Sequence, residues 1–262
     1  MQAVTEGAGL LATVGSGFDT AGWIVAGLAV LMTGISKSAL GGALGGLAVP
    51  FMAMWLPARE AAAVMLPILV LMDLVGIRAF WGKASMPELK TLIPAALVGI
   101  ALGTLTFGLV PDRGVKAVIG AIAVWFAIDR VMRRGAKPAA EPGLGRAWLW
   151  GGVSGVTSTL AHAGGPPLLV YLLGRGLPRE TFVATTVFYF AVINAAKVPF
   201  YVGLGLFTRE SLLISLCFAP LVPLGVWLGM RLLTRLPERP FYVFATAALG
   251  LSGLKLIQEA FS

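Results

Sequence analysis

The chain has 262 residues, of which 58% are hydrophobic and 12% charged, with a mean hydropathy of +0.88 and a formal charge of +8. A soluble domain carries about twice that share of charge and roughly 45–50% apolar residues, so this chain belongs in a bilayer. A single cysteine, Cys217, and charges confined to short clusters exclude a disulfide scaffold, a disordered chain and a nucleic-acid partner.

The first 20 residues contain Glu6 and Asp19 but no Lys or Arg, so the basic region of a signal peptide is missing and the N-terminus is expected to stay on the protein. From Trp23 to Trp55 a continuous helix would run about 50 Å, too long for one untilted crossing. Gly34-Ile-Ser36-Lys37-Ser38-Ala-Leu-Gly41-Gly42-Ala-Leu-Gly45-Gly46 interrupts it, and the segment is read as a broken or re-entrant hairpin over about 21–56. Three plain spans follow at about 60–80, 88–110 and 114–132, near the ~20 residues that cross a hydrocarbon core.

Residues 135–146 read as a linker, part of a polar stretch with Arg130, Arg133, Arg134, Lys137, Glu141 and Arg146, and Pro138, Pro142 and Gly143 break any helix there. The second hairpin is expected at about 148–175, where Gly164-Gly165-Pro166-Pro167 makes a helix break close to forced. Spans at about 180–202, 211–233 and 240–258 complete the chain, and Cys217 is read as packing.

The two sets repeat each other. A shift of 121 residues lays Leu56-Pro57 on Leu177-Pro178, Asp73 on Asn194 and Gly82 on Gly203, which defines repeats 1–134 and 147–262 around the linker. The alternatives are eight crossings or two re-entrant hairpins. Hairpins move Arg175, Arg179, Arg231, Arg235 and Arg239 inside while Arg209 and Lys255 move outside, which obeys the positive-inside rule better. Each half then has three crossings, so the expected fold is an all-α polytopic membrane protein of two inverted-topology repeats. Its N-terminus lies outside, its linker is cytoplasmic, and its hairpins meet near the midplane.

With its glycine-rich segment ending at Val49-Pro50, its Ser158-Thr159 to Gly164-Gly165-Pro166-Pro167 stretch and its duplicated plan, the chain resembles the TauE/SafE sulfite exporter family. The resemblance implies a bacterial inner-membrane secondary transporter whose substrate is sulfite, thiosulfate, an organosulfonate such as sulfoacetate or a related organic anion. It does not choose among them.

The residues agree with an anion. A helix broken in the membrane offers free N–H groups at its inner N-terminus, and Ser36, Ser38, Thr157, Ser158 and Thr159 add hydroxyl donors beside Gly41, Gly42, Gly164 and Gly165. Lys37 is the leading single residue for attracting an anion, with interfacial snorkelling or pairing to Asp73 as the other readings. Lys197, one turn beyond Asn194, is read as substrate contact or as a snorkelling lysine. Asp73 is assigned proton coupling or a structural ion pair, and His162 is assigned anion contact or proton relay against the alternative of a satisfied structural histidine.

Trp23, Trp55, Trp81, Trp148 and Trp150 are read as interfacial anchors. No metal-ligand cluster and no phosphate-binding loop stands in the sequence, so neither cofactor nor metal is expected, and either an ion gradient, with protons as the candidate coupling ion, or the substrate gradient itself would supply the energy. An intramembrane hydrolase using Ser154 or Ser158 with His162 is the enzymatic alternative, disfavoured by the crowding prolines. A channel-like or scaffold membrane protein is the other. The expected partners are a small anion, the lipid bilayer, protons and a second copy in a homodimer.

Overall fold

A computed structural model of the chain describes residues 18–45, 48–106, 112–132 and 143–261. The N-terminal residues 1–17, Gly46 and the linker residues Arg133, Arg134, Lys137 and Glu141 lie outside the described residues. The fold is all-helical: α1 Thr20–Ala39, α2 Ala48–Met52, α3 Ala58–Ala79, α4 Met86–Leu105, α5 Asp112–Met132, α6 Leu144–Ala161, α7 Gly165–Leu173, α8 Arg179–Gly203, α9 Arg209–Phe218, α10 Leu221–Arg235 and α11 Glu238–Phe261. Among the described residues five helices, α1, α3, α4, α8 and α11, are long and apolar enough to cross a membrane, or six if the bent pair α9 with α10 is counted as one span. The chain is a polytopic membrane protein.

Local chemistry sets the helix starts. The Asp19 carboxylate accepts from the Gly22 amide at 2.7 Å to cap α1, and Thr208 with Ser211 forms a reciprocal capping box on α9. Pro57 and Pro178, which the 121-residue shift superposes, precede α3 and α8 with nearly equal backbone angles, φ −52° and ψ 139° against φ −50° and ψ 141°. Proline suits this place because its fixed φ starts a helix and its missing N–H would have had no partner there.

Small residues let the backbones touch. On α4, a Cβ at Gly99 would lie 2.2 Å from the Gly152 carbonyl oxygen of α6, and one at Gly103 would lie 3.1 Å from the Thr159 side chain. On α10, a Cβ at Gly225 would lie 3.2 Å from the Leu31 carbonyl oxygen of α1, and one at Gly229 would lie 2.8 Å from the Ser38 side chain. Both contacts use glycines four apart, the spacing that brings membrane helices into backbone contact. Ser38 and Thr159, the side chains met in the two contacts, are 121 residues apart. Gly120 and Gly253 bring α5 against α11 in the same way.

Three expectations are corrected. The span expected at 211–233 is not one rod: it bends by 45° between Phe218 and Leu221, because Pro220 has no amide to give and its ring crowds the preceding turn. The first hairpin does not break across Gly34–Gly46. A single helix of 20 residues runs through Gly34 to Ala39, and the break begins at Leu40, so Ser36, Lys37 and Ser38 are in its last turn. Burial of this helix against α10 outweighs the helix-weakening glycine at Gly34, whose missing Cβ is what that contact requires. Cys217, finally, is exposed rather than packed.

Candidate functional site

The site is built where α1 and α6 stop. Residue Gly41 has φ +63° and residue His162 φ +50°, and each left-handed residue turns the chain out of its helix. In the first half the following amide, Gly42 N–H, donates back to the Ser36 carbonyl at 2.9 Å; in the second, Ala163 N–H donates to the Thr157 carbonyl at 3.1 Å. Further bonds fix each turn. The Ser36 hydroxyl accepts from Leu44 N–H at 2.9 Å, the Thr157 hydroxyl donates to the Ala163 carbonyl at 3.1 Å, and the Ser154 hydroxyl donates to the Gly164 carbonyl at 2.7 Å. The two turns touch: a Cβ at Gly165 would lie 2.9 Å from the Gly42 carbonyl oxygen.

Charge collects at that meeting point. Lys37 Nζ is 2.5 Å from Asp73 Oδ1, and Asn194 Nδ2 donates to Asp73 Oδ2 at 2.7 Å. Lys37 also lies 5.4 Å from the centre of the Phe190 ring, within cation–π range. Lys197 is a second buried ammonium, 1% exposed. It donates to the Ser158 hydroxyl at 3.0 Å and the Ser158 carbonyl at 3.3 Å, and reaches His162 Nδ1 at 3.4 Å. An ammonium can only donate, so Nδ1 accepts and Nε2–H donates to the Tyr201 hydroxyl at 2.7 Å. Every partner of Lys197 is neutral, and among the described residues Asp73 is the one carboxylate paired at this centre. Two buried lysines thus share one carboxylate at this centre.

A cavity of about 30 Å³ lies at the same place, lined by Lys37, Gly42, Gly45, Leu69, His162, Gly165, Phe190 and Asn194. A single water needs roughly 10–15 Å³ of such space, so in this conformation the cavity has room for water rather than for a substrate with its oxygens.

Of the residues singled out from the sequence, Lys37, Gly42, His162, Gly165 and Asn194 line the cavity, Asp73 and Lys197 contact lining residues directly, and Ser158 stands one step further out, bonded to Lys197. Gly41 and Gly164 shape the turns. Ser36 and Thr157 are engaged in their own turns, while Ser38 and Thr159 face α10 and α4. Lys197 does not snorkel, since α8 buries it whole. The free amides expected at the inner helix start are few, because Pro166 and Pro167 occupy the first turn of α7 and have no N–H, and Leu168 N–H is turned to the Gly164 carbonyl at 3.4 Å.

The sequence reading missed Leu69, Phe190 and Tyr201. A signal was present: on α8, Phe190, Asn194, Lys197 and Tyr201 recur at helical spacing along one face, and the 121-residue shift lays Leu69 on Phe190. Among the described residues no cluster of His, Cys, Asp and Glu could hold a metal.

A family model described as Sulfite exporter TauE/SafE matches residues 26–256, nearly the whole chain. No curated protein and no solved structure matches.

Proposed function

Because the chain belongs to the TauE/SafE sulfite exporter family, we propose that it is a secondary transporter that binds one small sulfur-containing anion between the two helix breaks and exposes it alternately to each side of the membrane. One observation carries this reading: the turns after α1 and α6 meet around a cavity lined by Lys37 and His162, with Lys37 paired to Asp73 and a second buried lysine, Lys197, behind His162. Burying an unmatched ammonium in a membrane helix costs about 2.5–3.5 kcal/mol on insertion scales. Such a cost is retained where the charge has a use, and an anionic cargo is that use.

The halves 1–134 and 147–262 act as inverted repeats with the N-terminus outside and the linker cytoplasmic. Support comes from the reciprocal packing of α4 on α6 and α10 on α1, and from equivalent turns at Gly41 and His162. A cavity this small corresponds to a closed conformation, and rocking of one half on the other would widen it. Asp73, among the described residues the one carboxylate paired at the centre, carries the coupling proton, and His162 relays it.

The test is flux. Purified protein in vesicles should show saturable uptake of sulfite, thiosulfate or sulfoacetate, with competition among them, and Lys37→Ala should abolish it. Flux that rises linearly with concentration and ignores competitors would replace the transporter with a channel. A panel of oxyanions and carboxylates scored by thermal shift names the substrate.

A further inference from the structure

Two of the cavity-lining residues carry donors suited to an oxyanion, the Lys37 ammonium and the Asn194 amide, and both are already turned onto Asp73. Asp73 stands behind them on α3, 2% exposed and not itself part of the cavity lining. Its two oxygens are engaged differently: Oδ1 is ion-paired with the Lys37 ammonium at 2.5 Å, and Oδ2 accepts from the Asn194 amide at 2.7 Å. A carboxylate gripped by an ammonium and an amide is chemically what a bound sulfonate or sulfite would be.

We propose that Asp73 is an internal ligand of the transport site: its carboxylate holds Lys37 and Asn194 while the site is empty, and an anion takes those donors only as Asp73 gains a proton. The proposal rests on the anion site described above and specifies how a proton and an anion become linked there. They need not bind side by side, because they exchange places through the same two donors.

The surroundings favour exchange over simple addition. Apart from Asp73, Lys37 has only the Phe190 ring as a partner among the described residues, so releasing it frees its ammonium toward the cavity. Lys197 on α8 acts on Asp73 through space, but its own donors are taken by Ser158 and His162. Among the described residues, the charged and titratable groups facing this centre are therefore Lys37 from α1, Lys197 and, through His162, Tyr201 from α8, and His162 from the turn after α6, and none of them is a second carboxylic acid. The proton comes from solution and adds to a carboxylate oxygen of Asp73. No covalent bond elsewhere changes, and the Asn194 amide can still donate to the neutral acid.

Titration calorimetry with thiosulfate, which stays fully ionised near neutral pH, tests this on detergent-purified wild type, Asp73→Asn and Lys37→Met. Repeating it in buffers of different ionisation enthalpy counts protons. Wild type should take up about one proton per thiosulfate bound, with Kd rising about tenfold per pH unit while Asp73 is ionised. Asp73→Asn should bind at least about tenfold tighter, a gain of about 1.4 kcal/mol, and take up none. Thiosulfate binding to wild type without proton uptake, or weaker binding by Asp73→Asn, overturns the internal ligand and leaves the anion site standing. Absence of binding by both folded proteins, or binding untouched by Lys37→Met, overturns the site reading itself. If Asp73→Asn does not fold, the wild-type proton count and pH slope decide alone.

Discussion

Gly41 and His162, 121 residues apart, hold the same left-handed backbone conformation at the ends of α1 and α6, and His162 is the one non-glycine residue with positive φ among the described residues. A left-handed residue with a side chain costs roughly 1–2 kcal/mol. In the first half glycine avoids that cost; in the second the imidazole is kept, and it bridges Lys197 to Tyr201. His162→Gly should therefore leave thermal stability unchanged or higher while weakening anion binding. A variant that binds as wild type does would make the imidazole structural only.

The counterpart substitution behaves oppositely. A Cβ at Gly41 would meet the Phe182 ring at 2.7 Å as well as the unfavourable φ. Gly41→Ala is expected to destabilise by about 2 kcal/mol or more, read as a lower melting temperature in detergent.

Lys37 and Asp73 form a buried pair, their side chains 6% and 2% exposed. Removing one partner strands the other charge, which typically costs about 3–5 kcal/mol. Lys37→Met should be strongly destabilised and Lys37→Met with Asp73→Asn should recover most of the loss. Additive losses in this double-mutant cycle would show that the two side chains do not act as a pair.

Helix contact through glycine can be tested within α6. A Cβ at Gly155 would fall 2.1 Å from the Ala96 carbonyl oxygen, whereas one at Gly145 meets nothing within 4 Å. Gly155→Ala is expected to cost about 3 kcal/mol or to block folding, and Gly145→Ala to gain up to about 1 kcal/mol from helix propensity. Equal melting temperatures would remove the close packing of α4 on α6.

Glu88 ties the C-terminal end of α7 to α4. Its carboxylate accepts from the Tyr171 hydroxyl at 2.7 Å and from Arg175 Nε at 2.5 Å, and Arg175 remains 21% exposed. Partial solvation of Arg175 limits the loss for Glu88→Gln to about 1–2 kcal/mol. Chemical denaturation in mild detergent measures it, and the Arg175→Gln variant should lose a similar amount.

Composition and spacing alone determined that the chain lives in a bilayer and that two segments are broken, because hydrophobic run length, proline and glycine act locally. The bend at Pro220 was equally local, yet the surrounding apolar run masked it. Tertiary packing decided the rest. It placed Ser38 and Thr159 on helix contacts instead of the cavity, and carried Lys197 on α8 to Ser158 on α6. Which hydroxyl faces the cargo and which faces a neighbouring helix depends on how helices rotate against one another, and that rotation is set by glycine contacts between segments distant in the chain.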